Sequence, residues 1–131
     1  TGRQLFKRHL MNEFSIENYY FWREATTWKK NYNDLDKLEN EKRFHFIYDS
    51  FIHHEALFQV NVSGHIVDEV SQVANGNVEL SDDVFDDAIR SCYGLMVMDS
   101  FPRFRNTVAY NQFTGGSAET LRTSGGSLED L

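Results

Sequence analysis

The chain has 131 residues, 40% of them hydrophobic and 25% charged, so it suits a single domain with one core and leaves little room for a second. Its formal net charge of −7 argues against binding to nucleic acid or to an anionic membrane surface, since both recruit basic proteins. The single cysteine excludes an internal disulfide and a CxxC zinc site and fits a reducing compartment, and the sequence has no apolar run long enough to predict a membrane span.

Apolar residues recur at helical spacing along most of the chain, and Pro102 is the only proline available to break a helix. The predicted helices carry, in chain order, the apolar sets Leu5, Phe6 and Leu10; Phe21, Ala25, Trp28 and Tyr32; Phe44, Ile47, Tyr48, Phe51 and Ile52; Ile66, Val67, Val70, Val73 and Ala74; Phe85, Ala88, Ile89, Cys92 and Met96; and Phe101, Phe104 and Val108. The only strand-like run, 58–62, is too short to found a sheet. The sequence therefore predicts an all-α fold.

Serine residues mark the predicted starts of several helices. Ser15 precedes the second helix, and Glu17 in its first turn places a carboxylate near free amides and the positive end of the helix dipole. Ser63 and Ser81 stand in the same position before the fourth and fifth helices. Between those two helices, the residues 75–77 form an Asn-Gly-Asn sequence that predicts a turn.

The start of the sequence and its last residues, 114–131, each bear on how the chain is organised. The chain opens at Thr1 without an initiator methionine or a signal segment, so we expect an excised domain or a processed chain. From residue 114 the composition shifts to glycine, serine and threonine, with few large apolar residues. Such a segment buries too little surface to offset its ordering entropy. We therefore expect a folded domain over 1–113 and a linker or tail over 114–131.

The residue patterns of common catalytic and metal sites do not occur in this sequence. His53-His54-Glu55 lacks the second histidine one helical turn further on that a zinc-binding helix needs, so solvated or packed histidines are the better interpretation. The acidic run 34–41 lacks the glycine and the final glutamate of a calcium loop, and it suits a solvated helix start. No phosphate-binding glycine loop or strained nucleophile turn is recognisable. We therefore expect no metal, no cofactor and no classical catalysis.

Three polar clusters and the blocks around them carry a family resemblance. Each polar residue alone suits a cap or a turn, but the blocks occur in one order and at fixed separations. They are LFKRHLMNEFSIENYYFW (5–22), IYDSFI (47–52), VNV (60–62), FDDA (85–88) and LMVMDSFPRF (95–104). In these blocks the chain resembles the regulator of G-protein signalling (RGS) domain. That resemblance implies an all-α bundle of about nine short-to-medium helices, with the first short helices truncated or reduced here.

The resemblance also implies a surface that binds an activated heterotrimeric G-protein α subunit. The residues that match the family's contact positions are Phe14, Ser15, Glu17 and Asn18 in a first loop, Gln59 and Asn61 in a second, and Leu95, Asp99, Ser100 and Arg103 in a third cluster. Ile16 and Gln59 stand where many members carry an acid, and Met98 stands where many carry lysine. These departures lie near the expected partner surface, so they affect partner selectivity more than binding itself.

The implied function is acceleration of GTP hydrolysis by the α subunit. Such a subunit already supplies a charge-stabilising arginine and a water-orienting glutamine, so its activator needs only to favour the transition-state arrangement of the switch segments. The partner would recruit the domain from the cytoplasm to the inner face of the plasma membrane, with no direct membrane insertion, nucleic acid or homo-oligomer implied. Three alternatives remain: an RGS-like scaffold or effector-docking domain without acceleration, a helical bundle enclosing a small apolar ligand, and a generic protein-binding helical domain.

Overall fold

All the regular structure in the described part of the chain is helical. The computed structural model describes residues 2–12, 16–100 and 102–103. Its α-helices are α1 (Gly2–Asn12), α2 (Ile16–Asn31), α3 (Lys37–Ile47), α4 (Gly64–Ala74) and α5 (Asp86–Leu95), with a 3₁₀ turn at Tyr32–Asp34 and π-helical segments at Tyr48–Ile52 and Met96–Ser100. This confirms the predicted all-α class. The predicted last helix is described only at Pro102 and Arg103, which are helical.

The chain divides into two compact units, 1–16 with 94–131, and 17–93. In the first unit Phe6 of α1 and Met96 of the second π-helical segment are fully buried, and the Phe6 ring stacks near His9 at a centroid distance of 6.4 Å. The second unit contains a large hydrophobic core. No helix in the described ranges is both long enough and apolar enough to cross a membrane.

The core of the 17–93 unit is a cluster of aromatic rings centred on Phe85. The centroid of the Phe85 ring lies 5.7 Å from that of Phe21, 5.6 Å from that of Trp28 and 5.3 Å from that of Phe44. Aromatic residues of α2 and α3 therefore meet around Phe85. All four side chains are almost completely buried, and each such burial stabilises the fold by roughly 1.5–3 kcal/mol. The helical spacing had predicted all four as core residues, and the structure confirms them.

The predicted third helix is confirmed, but its second half is π-helical. The positions Phe44 and Ile47 lie on α3, whereas Phe51 and Ile52 lie on the wider turn that continues it, and all four are buried. A π-helical turn keeps the chain helical while shifting the side chains that follow it. The apolar pattern therefore predicted burial correctly without distinguishing the two helix types.

The helix starts follow the sequence signals unevenly. Asp36 caps α3 by accepting a hydrogen bond of 2.7 Å from the backbone N–H of Glu39, which fits the predicted helix start in the acidic run. Ser63 does occupy the N-cap position of α4, but its hydroxyl pairs with Nδ1 of His65 at 2.9 Å instead of capping an amide. The backbone arrangement at this helix was thus predicted, and the side-chain role was not.

The prediction that Ser81 begins the fifth helix is wrong. That helix, α5, begins at Asp86, and residues 81–85 form a turn in which Val84 N–H donates to the Ser81 carbonyl at 3.3 Å. The Ser81 hydroxyl donates to the carboxylate of Asp83 instead of accepting a hydrogen bond from a helix amide. This turn brings Phe85 into the core directly before α5 begins, and Asp86 then places negative charge in the first helical turn.

Candidate functional site

Asn61 lies at the tip of a tight turn between two residues that face the core. Val60 is buried and Val62 is half-buried, and both pack with the core cluster, whereas Asn61 is exposed. The backbone N–H of Val62 donates to the carbonyl of Val60 at 3.2 Å, which closes a three-residue turn around Asn61. The two valines therefore fix the backbone on either side of an outward-facing amide.

The connection that carries Asn61 is attached to the end of the preceding helix. Phe58 N–H donates to the Ser50 carbonyl at 3.2 Å, and Val60 N–H donates to the Phe51 carbonyl at 2.9 Å. The last carbonyls of a helix have no partner within the helix itself, so these two bonds satisfy them with the connection. Asn61 is thus held in place before any partner arrives, which is the arrangement that a contact residue on a rigid element requires.

The residues just before Asn61 add apolar surface to this site. Leu57 is 86% exposed and Phe58 is also exposed, although the Phe58 ring lies 6.4 Å from that of buried Phe51. Gln59, which follows them, is exposed as well. Sequence reasoning missed the apolar pair, because large apolar residues beside a strand-like run are more often core residues. The connection therefore presents an amide next to a solvent-exposed apolar patch.

The first predicted contact loop is described only from the start of α2, because Phe14 and Ser15 lie outside the described residues. Glu17 is half-buried in the first turn, whereas Asn18 is 7% exposed and its Oδ1 has no hydrogen-bond partner among the described residues. Burial, and to a smaller extent the nearby Glu17 carboxylate, raise the pKa of the Cys92 thiol to about 12. Of these two residues at the start of α2, Glu17 is the more accessible to solvent. Partner contact by either residue stays a prediction.

The third predicted cluster belongs to the other unit. Leu95 ends α5 and is half-buried, Met98 is exposed, and Arg103 is exposed on the helical turn beyond Pro102. Asp99 and Ser100 lie on the second π-helical segment, but their side chains fall outside what the structure describes. Bonding between Arg103 and Asp99 therefore stays a prediction.

Two histidines and a glutamate lie close enough to share a metal ion. The ligand atoms of His53, His54 and Glu55 lie within 4.8 Å of one another, a proximity that the helix-based spacing rule did not address. His53 Nδ1, however, accepts a hydrogen bond of 3.1 Å from the Glu55 N–H, which uses the lone pair of one ring nitrogen. Since His54 and Glu55 are exposed, this group has the character of a solvent-facing turn.

Comparison with known proteins identifies the family. The family model for the regulator of G protein signaling domain matches residues 1–113. The chain belongs to the RGS family. Among its relatives, it is 34% identical over 125 residues to regulator of G-protein signaling 1 of Mus musculus, covering 93% of this chain and 56% of that protein. It is 37% identical over 112 residues to regulator of G-protein signaling 5 of Sus scrofa, covering 86% and 59%.

The match extends to other RGS proteins. The chain is 35% identical over 120 residues to regulator of G-protein signaling 20 of Homo sapiens, covering 91% of this chain and 29% of that protein. It spans about half the length of the relatives matched first. The resemblance inferred from the five sequence blocks is therefore confirmed as RGS membership. The tail predicted over 114–131 lies outside the described residues, and its boundary with the RGS domain stays a prediction.

Proposed function

We propose that this RGS domain is a GTPase-activating protein for an activated heterotrimeric G-protein α subunit. It binds the subunit's switch regions, stabilises the transition state of GTP hydrolysis and so attenuates signalling. The observation that carries the proposal is the exposed Asn61 on a connection fixed by two backbone hydrogen bonds and two core-facing valines. The family membership supports it independently.

The activator's own side chains need not supply the groups that react with GTP. The α subunit carries the arginine that stabilises charge and the glutamine that orients the attacking water. An activator then gains rate by binding the mobile switch segments best in their transition-state arrangement. The Asn61 amide suits this task, since it offers one acceptor oxygen and two donor hydrogens and contacts the glutamine and water in our proposal. The domain itself has no active site and does not hydrolyse GTP.

The remaining contact positions are assigned by matching the family's pattern. We place Phe14, Ser15, Glu17, Asn18, Gln59, Leu95, Asp99, Ser100 and Arg103 with Asn61 at the interface. Asp99 binds the first switch segment of the α subunit, and Arg103 orients the Asp99 carboxylate through a charge-assisted hydrogen bond. Glu17 and Asp99 carry carboxylates, which can accept hydrogen bonds from the backbone amides of the switch segments. The partner recruits the domain to the inner face of the plasma membrane.

Single-turnover GTP hydrolysis by a panel of α subunits, with and without the domain, tests the proposal. Asn61→Ala should reduce the acceleration by roughly tenfold to a hundredfold, since leaving a hydrogen-bonding partner unpaired costs about 1–3 kcal/mol. Asn77→Ala is the matched control, because Asn77 is an exposed asparagine in a different connection. It should leave the acceleration unchanged, and both variants should keep the melting temperature of the parent.

The outcomes separate the proposal from its closest alternative. If no α subunit is accelerated but the domain binds the aluminium-fluoride form, the chain is a scaffold or effector-docking domain. If Asn61→Ala and Asp99→Ala both leave the acceleration intact, the assignment of the contact residues is wrong. Absence of both binding and acceleration across a broad panel would reject the proposed function and leave the fold assignment standing.

A further inference from the structure

A groove runs beside the connection between α4 and α5. It consists of two adjoining clefts of about 650 Å³ and 370 Å³, and Val73, Val78 and Glu79 line both of them. The larger cleft lies between the start of α3 and the end of α4, and the smaller one reaches the start of α5. We call the two clefts together the acidic groove. All of its lining residues belong to the 17–93 unit.

Negative charge predominates along the acidic groove. Its carboxylates are Glu41, Glu69, Glu79, Asp83, Asp86 and Asp87, and its lysine and arginine residues are only Lys37 and Arg90. Some of this charge is already paired, since Asp86 bonds Lys29 at 2.7 Å and Asp87 bonds Arg90. Glu41, Glu69 and Glu79 have no ion-pair partner within the described ranges. The groove therefore favours a cationic occupant.

A buried polar atom in the larger cleft independently indicates a hydrogen-bond donor. Asn40 lines this cleft, is 4% exposed, and donates through Nδ2 to the carbonyls of Tyr32 at 3.0 Å and Leu35 at 3.3 Å. These bonds fix which end of the amide is oxygen. Its Oδ1 has no hydrogen-bond partner among the described residues. A buried acceptor left unpaired costs free energy, so an occupant that brings an N–H group is favoured.

The groove also offers a place for one apolar side chain. Val78 is 53% exposed where the two clefts adjoin. Leu80, half-buried, and Phe44, buried, line the larger cleft. Apolar area at such a position gains free energy when a partner covers it. Charge, donor requirement and apolar surface thus occur together along one groove.

We propose that the acidic groove binds a basic peptide segment of a partner protein. Arginine suits the groove best, because its guanidinium brings five N–H donors in a planar fork and pairs with carboxylates. One guanidinium donates to Oδ1 of Asn40, others pair with Glu69 and Glu79, and an apolar residue of the peptide covers Val78. This site uses none of the residues assigned to the α-subunit interface, and it does not depend on the proposed GTPase-activating function.

Fluorescence anisotropy with the whole chain at about 0.1 M salt, where long-range surface attraction is largely screened, tests this proposal. The probe is a short fluorescein-labelled arginine peptide with one central leucine. The reference peptides replace either the leucine by glycine or the arginines by glutamate. We expect saturable binding of the probe, weaker binding without the leucine, and none with glutamate. A ¹⁵N–¹H spectrum should show the Asn40 side-chain amide and the Val78 backbone amide shifting on titration.

Variants distinguish a built site from general attraction to an acidic protein. The double variant Glu69→Gln, Glu79→Gln should weaken binding about fivefold, and Val78→Ser should weaken it about threefold. Glu24→Gln, Glu55→Gln removes the same charge from exposed positions outside the groove and should leave the affinity unchanged.

Several results would overturn the proposal. Binding that falls equally in both double variants would show that the peptide responds to net charge alone. Absence of saturable binding, or spectral shifts that leave Asn40 and Val78 unmoved, would reject the groove as the site. Because Glu69, Glu79 and Val78 are exposed, these variants should fold like the parent, and a thermal melt verifies that they do.

Discussion

The two connections on either side of α4 have the same length but opposite character. Residues 53–63 precede the helix and residues 75–85 follow it, eleven residues each. The first connection bonds to carbonyls at the end of the previous helix, and it presents Leu57 and Asn61 to solvent. The second folds back on α4 through bonds from Asn77 and Val78 N–H to the Gln72 carbonyl at 2.9 and 3.2 Å.

This difference shows how two loops of equal length acquire different uses. A connection held on both sides of one residue by core-facing neighbours can keep that side chain in a fixed position. The second connection, which bonds back to the helix that it follows, instead forms one wall of a cleft. Its carboxylates Glu79 and Asp83 give that wall a negative charge. Substitutions in or beside each connection can therefore test whether the two are independent.

The second connection ends in the residue at the centre of the core, so its anchor should contribute most to stability. Phe85→Ala should lower the free energy of unfolding by about 3–5 kcal/mol, the cost of removing a buried phenylalanine ring. In the first connection, Val60→Ala removes fewer buried atoms and should cost about 1–2 kcal/mol. Urea denaturation of both variants measures the difference. Equal losses would show that the two connections are anchored equally strongly.

Ionisation of the buried Cys92 thiol should make the stability of the core depend on pH. Burial raises the pKa of this thiol to about 12 from an ordinary value of 9.0, so the folded state holds the proton more tightly than the unfolded state. The resulting stability is fully present below pH 9.0 and is lost as the pH rises towards 12. By about pH 10.5 the loss should reach roughly 2 kcal/mol.

Other groups also titrate in this range, so Cys92→Ala serves as the reference. Its stability should be lower than that of the parent at pH 7, since a buried atom is removed, but the gap should narrow above pH 9.0. Urea denaturation across this pH range measures both curves. Curves that remain parallel would show that Cys92 is not protected from ionisation in the folded protein.

Leu57 tests whether the first connection contributes apolar contact as well as an amide. If its exposed side chain is covered by the α subunit, Leu57→Ser should weaken binding to the aluminium-fluoride form by about tenfold. The rate at saturating domain should remain that of the parent, in contrast to Asn61→Ala. Leu38→Ser is the matched control, because Leu38 is an exposed leucine on α3. Equal affinities for the parent and Leu57→Ser would restrict the contact to polar residues.

The sequence was sufficient to predict most of the core but not the local geometry around it. The spacing of Phe21, Ala25 and Trp28 identified the buried face of α2, because burial repeats with the helical period. Ser81 was misassigned because a serine followed by acidic residues suits a turn as well as a helix start. The π-helical segment Tyr48–Ile52 left no separate signal, since its apolar residues also fit α-helical spacing.

The family motif identified Asn61 as a candidate contact residue, whereas features that depend on packing were not predicted. Asn61 followed from its place between two valines and from the family pattern, and the structure finds it exposed. Leu57 is exposed whereas Asn40 and Asn18 are buried, and no local pattern of polar and apolar residues reports this difference. The acidic groove was missed because its lining residues come from two separate stretches of the chain, 32–45 and 69–90.

The smallest expected effect concerns the glycines that bound α4, one on each side. Gly76 has a φ of +79°, and a Cβ added there would meet no atom within 4 Å, so Gly76→Ala should cost about 1 kcal/mol from backbone strain alone. Gly64 begins the helix with equally open surroundings and no such φ, so Gly64→Ala should instead stabilise the protein by about 0.5 kcal/mol. Urea denaturation should therefore give opposite signs for the same substitution. A loss at both positions would mean that the start of α4, like the second connection, depends on the conformational freedom of a glycine.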